Sequence, residues 1–307
     1  DHTVFRYAAG AYLRGVDPIL INSEHTPLGK YFIALSILLF QNDGMIIIFF
    51  ALLTLLAIWL ISRSAIQDSV WNLIPLVLFS SEPLFLDQIR VAPMLDIIQL
   101  PFIFLSLYFF LKEYKQRKFI FTSLMIGLVI ATKTLVPGLL LVLCFVIFLF
   151  FQRSFRSMFA LFAYLPIAAF ILIASYVRTF LNGYTFGDFL GFQKWILLYQ
   201  QSKLLYPFSV WRLIFFNQWQ TWWGDRSILS AVDWRITWPV FSGLTLLLVL
   251  LILMRKWKVT PSVLLLTLWV FVYGIFLSLG VVSSRFLLPF LPVCFILGTY
   301  VLRRALR

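Results

Sequence analysis

Residues 44–62 read GMIIIFFALLTLLAIWLIS, a run that contains no charged side chain. A helix of this length rises roughly 28 Å, close to the ~30 Å hydrocarbon core of a bilayer. The rest of the chain has the same character, since 62% of its 307 residues are hydrophobic, only 12% are charged and the mean hydropathy is +0.96. Soluble domains do not reach these values, so the sequence predicts a multi-pass membrane protein.

Similar apolar runs recur along the chain, and each is long enough to cross or nearly cross a bilayer. They lie at 44–62, 70–86, 93–111, 119–133, 136–151, 157–177, 238–254, 262–280 and 285–302. The segment 28–40 is shorter and has the polar residues Lys30 and Tyr31 near its start. It therefore either lies in the membrane interface or forms a tenth span. The predicted fold class is therefore all-α, a polytopic membrane helix bundle of about nine to ten transmembrane helices.

The basic loops decide between these two topologies. Short loops rich in Lys and Arg face the cytoplasm, and here they comprise Arg63, residues 112–118, Arg153 with Arg156, residues 255–258 and residues 303–307. All five face the cytoplasm if 28–40 is interfacial, whereas a crossing by 28–40 would force 112–118 outside. We therefore expect 28–40 to lie in the membrane interface. The protein is expected in the cell (plasma or inner) membrane, with its active site on the non-cytoplasmic side.

One transmembrane domain, 1–307, is expected, with two external segments of note. Residues 1–43 form a first external loop with interfacial helices, and an upstream first helix is expected to be missing because no signal peptide precedes this external start. Residues 178–237 form a long external loop that holds six of the eleven tryptophans. This loop is either an aromatic belt or part of a lid or acceptor platform.

Ionisable residues outside the basic loops gather near the predicted external face. They are Asp1, Glu24, His25, Lys30, Asp87, Arg90, Asp96, Lys133, Asp225, Arg226 and Arg285. Charges at membrane depth are costly and mark functional sites, although some of these side chains are expected merely to reach the headgroups. The positive charges lie in short clusters between apolar runs, so nucleic-acid binding is not predicted, and Cys144 and Cys294 are expected to be buried inert thiols.

Carboxylates and cations facing a lipid-accessible cavity suit transfer from a lipid-linked phosphate donor. A carboxylate such as Asp1 would take the proton of an acceptor hydroxyl, and Lys or Arg would stabilise the departing phosphate. The sequence carries no Gly-rich phosphate loop, GxSxG elbow or HExxH helix. Nucleotide hydrolysis and serine hydrolysis are therefore not predicted.

Five short motifs occur in an order that resembles the GT-C glycosyltransferases, above all the protein O-mannosyltransferases and the ArnT-like lipid A aminoarabinose transferases. They are DHTVFRYA (1–8) with LRG (13–15), HTPLGK (25–30), RVAPMLD (90–96), GLVIATK (127–133) and RFLLP (285–289). The resemblance implies a helix bundle with interfacial helices in the first external loop, a polyprenyl-phosphate sugar donor and inversion at the sugar carbon. Two departures are Asp1-His2 in place of an Asp-Glu pair, and Thr26 in place of the first proline of His-Pro-Pro.

The resemblance also implies roles for individual residues. Asp1 maps onto the catalytic base. The donor phosphate would be bound by Lys30, Arg90, Lys133 and Arg285, and the acceptor or sugar by Asp96, Glu24, His25, Trp222, Trp223 and Asp225. Asp96 has the alternative of pairing with Arg90, and Glu24 with His25 either contribute to a divalent metal site or cap the helix 28–40.

Two other classes of function stay open at this point. A transporter or flippase of lipid-linked sugars would show repeats, discontinuous helices and polar residues at the bilayer midplane, which the sequence does not indicate. A non-catalytic membrane scaffold is the other alternative. The expected partners are a polyprenyl-phosphate sugar, membrane lipids and an acceptor that is a lipid, a protein or a polysaccharide.

Overall fold

The computed structural model describes residues 1–306 except 69, 202–206, 222–224, 226 and 281. Its helices are α1 (His2–Leu13), α2 (Leu28–Phe40), α3 (Met45–Ala65), α4 (Ile74–Ser80), α5 (Pro83–Arg90), α6 (Leu95–Glu113), α7 (Ile120–Thr132), α8 (Leu135–Phe151), α9 (Phe155–Ser175), α10 (Val177–Leu181), α11 (Phe186–Gln201), α12 (Ser209–Phe216), α13 (Thr237–Leu253), α14 (Pro261–Leu279) and α15 (Leu291–Ala305). Two-residue strands β1 (Trp219–Gln220) and β2 (Ile228–Leu229) pair antiparallel. The prediction of an all-α membrane bundle is confirmed.

Four helices in the described part of the chain are both long and apolar enough to cross a membrane. They are α3, α6, α9 and α14. Shorter apolar helices are α2, the stretch Trp71–Ser80, α7, α8 and α13. Large apolar side chains of α9 remain exposed, such as Phe159 at 71% and Phe170 at 70%. Such exposure is expected for surfaces that contact lipid chains.

The predicted single run at 70–86 is wrong in one respect, because the structure divides it into α4 and α5. The break falls at Glu82, whose backbone is extended and which is followed by Pro83 at the first position of α5. Proline disfavours helical geometry in the residue before it. Asp87 and Arg90 therefore lie on the separate helix α5.

The core is formed by neighbouring helices that pack closely. Helix α7 lies between α6 and α9, α3 packs on α6, and α15 packs on α13 and α4. The Phe110 ring of α6 stacks on that of Phe145 of α8, with centroids 4.0 Å apart. Gly127 permits the close approach of α7 and α9, since a Cβ at this position would lie 2.9 Å from the Ala168 Cα.

The first external segment docks onto the end of α7. The Thr26 backbone N–H donates to the Lys133 carbonyl (3.1 Å), and its hydroxyl donates to the Ile130 carbonyl (2.9 Å). One turn later Gly29 lies so close that an added Cβ would be 2.6 Å from the Thr132 carbonyl oxygen. The carbonyls that the end of a helix leaves unpaired are thus satisfied by the segment before α2.

Gly29→Ala should lower the melting temperature in detergent by several degrees. The new methyl group would meet a backbone carbonyl that cannot rotate away, and overpacking of this kind costs about 1–3 kcal/mol of stability. Each kcal/mol lowers the melting temperature by about 2–4 °C. The matched control is Gly243→Ala in α13, where an added Cβ meets nothing within 4 Å. A melting temperature for Gly29→Ala at or above that of the control would contradict this packing.

Candidate active site

Two ion pairs lie at the same end of the helices. Asp1, just before α1, pairs with Arg285 in the 3₁₀ turn Ser284–Leu287. Asp96, in the first turn of α6, pairs with Lys133 at the end of α7. Each pair therefore joins parts of the chain that are distant in sequence.

The Phe286 ring connects the two ion pairs. The Lys133 Nζ lies 5.6 Å from the ring centroid and the Arg285 Cζ lies 5.5 Å from it. The Asp1 side chain is 49% exposed, whereas those of Lys133 and Asp96 are only 12% and 11% exposed. The arrangement is a site with an accessible carboxylate at its mouth and a buried ion pair beneath.

Two polar atoms of this site have no hydrogen-bond partner among the described residues. They are the Asp96 Oδ2 and the Arg285 Nε, and both are buried. One is an acceptor and the other a charged donor, so the site can take a hydroxyl at Asp96 and an anion at Arg285. This is the chemistry that a phosphate-linked sugar presents.

Lys30 is fully buried at the start of α2. Its ammonium donates to the carbonyls of Asn22 (2.6 Å) and His25 (2.9 Å) and lies 5.7 Å from the Tyr12 ring centroid. Burial lowers the pKa of Lys30 to about 7, against the opposing influence of the Glu24 carboxylate. In this structure Lys30 therefore holds residues 22–25 against α2, and its binding of the donor phosphate stays a prediction.

Glu24 and His25 lie in the turn that Lys30 holds. The Glu24 Oε1 accepts from the Asn22 amide (2.6 Å), and the His25 ring lies 5.6 Å from that of Phe5. The expected capping role is wrong, because α2 has Pro27 at its N-cap and no side-chain cap hydrogen bond. Within the described ranges no group of three or more His, Cys, Asp or Glu side chains accompanies them, so a divalent metal at Glu24 and His25 stays a prediction.

The remaining predicted residues contact other partners or lie outside the described part of the chain. Arg90 pairs with Asp87 on its own helix (3.8 Å) and is 73% exposed. The alternative in which Asp96 pairs with Arg90 is wrong, because Asp96 pairs with Lys133. The Asp225 Oδ1 accepts from the Ser227 backbone N–H (3.2 Å) in an exposed turn. Trp222, Trp223 and Arg226 lie outside the described residues.

Sequence reasoning missed Asp17, which anchors the first external segment. Its carboxylate is buried and accepts from the Ile19 backbone N–H (3.0 Å), the Thr179 hydroxyl (2.8 Å) and the Asn182 amide (2.7 Å). Close by, the Arg178 guanidinium donates to the Tyr12 carbonyl (2.5 Å). The Asp-Pro pair at 17–18 is a turn signal that points to a local cap, but nothing in it indicates the partners 162 residues away.

Glu82 and Asp233 were also missed, and both contact segments next to the site. The buried Glu82 carboxylate accepts from the Thr237 hydroxyl (2.5 Å) and the Trp238 indole N–H (3.1 Å), which joins α5 to α13. Burial raises the pKa of Asp233, and the neighbouring Ser284 hydroxyl, as a hydrogen-bond donor, opposes that rise. Because Ser284 precedes Arg285, Asp233 contacts the turn that carries Arg285.

The chain is similar to a known protein family. The family model described as dolichyl-phosphate-mannose-protein mannosyltransferase matches residues 24–180, which is about half of the chain. This protein belongs to that family, and the resemblance drawn from the five motifs is confirmed. Asp1 and Arg285 lie outside the matched range. A comparison with curated proteins finds no match.

Two crystal structures of ArnT from Cupriavidus metallidurans share the fold. The structure bound to undecaprenyl phosphate gives a TM-score of 0.69 at 16% identity, and the apo structure gives 0.66 at 14%. In both cases the match covers 98% of this chain and 54% of ArnT. The chain therefore spans about half the length of these relatives and has an ArnT-like fold.

Lys133→Met should destabilise the protein by roughly 3–5 kcal/mol, because it leaves the Asp96 carboxylate buried and unpaired. The double variant Asp96→Leu/Lys133→Met should recover most of that loss, since an apolar pair replaces the ion pair. Arg90→Met, which breaks only an exposed pair, should change stability by at most about 1 kcal/mol. Thermal unfolding in detergent measures all three, and a double variant as unstable as Lys133→Met would contradict the pairing.

Asp17→Ala should also lower thermal stability, since three donors lose their acceptor and each buried unpaired group costs about 1–3 kcal/mol. Asp225→Ala is the control, because its carboxylate accepts in an exposed turn. Limited proteolysis of the first external segment should speed up in Asp17→Ala alone. Equal cleavage and equal melting in the two variants would remove the anchoring role.

Proposed function

We propose that this chain forms the membrane-embedded part of a glycosyltransferase that moves a sugar from a polyprenyl-phosphate donor to an acceptor hydroxyl. The observation that carries the proposal is the pair of ion pairs around Phe286, which sets two carboxylates and two cations at one end of the bundle. Membership of the mannosyltransferase family supports the reaction class. The undecaprenyl phosphate bound by the ArnT relative supports the donor class.

In this mechanism Asp1 is the general base. Its carboxylate takes the proton of the acceptor hydroxyl while that oxygen attacks the anomeric carbon of the sugar. The new bond joins the acceptor oxygen to this carbon, and the bond from the carbon to the phosphate oxygen breaks. A single displacement of this kind inverts the anomeric centre, and the polyprenyl phosphate leaves with the bonding electrons.

Arg285 and Lys133 stabilise the departing phosphate. Arg285 carries a buried Nε–H without a partner among the described residues, so it can bind the phosphate while it still orients Asp1. Pre-positioned cations in a poorly hydrated site stabilise developing negative charge strongly. The Asp96 Oδ2, which has no partner among the described residues, accepts from a sugar hydroxyl, and a contact of Arg90 with the phosphate stays a prediction.

The first external segment (1–43) and the long external loop (178–237) contact the substrates. Lys30 acts through the turn that it holds, which presents Glu24 and His25 to the acceptor. Trp222, Trp223 and Asp225 stay predictions for acceptor contact. The acceptor is a lipid, a protein or a polysaccharide that carries a hydroxyl.

The proposed topology has nine spans, with α2 in the interface and the site on the non-cytoplasmic side of the cell membrane. The basic loops support this orientation, since all lie at the opposite helix ends. The alternative of a transporter requires charges near the bilayer midplane. The ion pairs of the site instead involve helix ends and the turn at Ser284–Leu287.

Asp1→Asn in the full-length protein should lower sugar transfer by roughly 10²–10⁴-fold, the usual contribution of a general base. The assay uses a panel of radiolabelled polyprenyl-phosphate sugars in membranes that contain the protein. Glu113→Gln, at the opposite end of α6 from Asp96, is the matched control and should retain transfer within a few-fold. Equal transfer by wild type and Asp1→Asn would remove Asp1 from the mechanism, and no transfer from any donor would favour the transporter or scaffold.

A further inference from the structure

A cavity lies far from the candidate active site. Its volume is about 550 Å³, and its lining comes from the end of α3 and the segment before α4: Trp59, Arg63, Gln67, Asp68, Asn72 and Leu73. Helix α3 starts beside the active-site end, where a Cβ on Gly44 would lie 3.3 Å from the Ala92 Cβ. Its 21 residues rise roughly 31 Å, so the cavity opens at the opposite end of the bundle.

The cavity carries an uncompensated positive charge. The Arg63 guanidinium lies 5.5 Å from the Trp59 ring centroid and has no acidic partner within ion-pair distance in the described part of the chain. Asp68 is already paired with Arg303 (3.5 Å), whose Nε is buried and finds no hydrogen-bond partner in the described part of the chain. The Arg63 guanidinium in the cavity wall therefore suits an anionic group.

An apolar surface begins directly at the edge of this polar cavity. Leu73, in the cavity wall, is 46% exposed, and Val77, one turn further along α4, is 62% exposed. Residues four apart lie on the same helix face. A charged cavity continuous with an exposed apolar strip matches a molecule with an anionic head and apolar chains.

We propose that this cavity binds the headgroup of an anionic glycerophospholipid. The phosphate meets Arg63, the hydroxyls of the headgroup meet the side-chain amides of Gln67 and Asn72, and the acyl chains lie along Leu73 and Val77. Basic pockets between membrane helices are known to select such headgroups. The inference is independent of the proposed reaction, because the cavity shares no residue with the active site.

Native mass spectrometry of the purified full-length protein tests this site by titration with phosphatidylglycerol. Arg63→Gln should weaken the tightest binding event by about tenfold, as expected for the loss of one charge-assisted hydrogen bond. The control is Arg156→Gln, an exposed arginine near the start of α9, which should leave binding unchanged. Gln67→Leu, at an exposed position, gives a second variant that tests the cavity if Arg63→Gln fails to fold.

Two further probes separate the sources of the phosphate. Phosphatidylcholine has the chains and a phosphate but no net charge, and glycerol phosphate has the charged head without chains. The proposal predicts that phosphatidylglycerol binds most tightly and that both probes bind at least tenfold more weakly. Equal binding of glycerol phosphate would overturn the lipid assignment, and equal phosphatidylglycerol binding by the Arg63→Gln, Gln67→Leu and Arg156→Gln proteins would overturn the site.

Discussion

The docking of Thr26 onto the end of α7 is the contact on which the candidate site depends. Its N–H and hydroxyl satisfy the carbonyls of Lys133 and Ile130, and Gly29 lets α2 approach the same helix end. A proline at position 26 would lack the N–H and lose the bond to the Lys133 carbonyl. The departure from the family pattern at Thr26 thus fixes the backbone of the residue that holds Asp96.

Two ion pairs connect this contact to the start of the chain. Lys133 holds Asp96, and the Phe286 ring lies near both Lys133 and Arg285. Arg285 in turn reaches Asp1 at the start of α1. Burying a polar group in a lipid environment costs free energy unless the group is paired. The Asp96 Oδ2 and Arg285 Nε are buried and have no partner among the described residues, so a ligand is expected to supply their partners.

The sequence predicted some parts of this structure well and others not at all, for physical reasons. Long uncharged runs must be helical in a bilayer, because a helix satisfies its backbone internally, and α3, α6, α9 and α14 follow from that alone. Pro83 indicates a helix break at Glu82, which the prediction of a single run at 70–86 does not include. The partners of Asp17 and Asp96 were not readable, because they depend on how distant helices pack and one sequence carries no record of which side chains meet.

The most direct test of the account is a structure of the full-length protein with a polyprenyl phosphate bound. The account predicts the phosphate within hydrogen-bonding distance of the Arg285 and Lys133 side chains, with the Asp1 carboxylate facing the position of the acceptor oxygen. A phosphate bound elsewhere, with the pairs Asp1–Arg285 and Asp96–Lys133 intact and covered, would contradict the assignment of this site as the centre of sugar transfer.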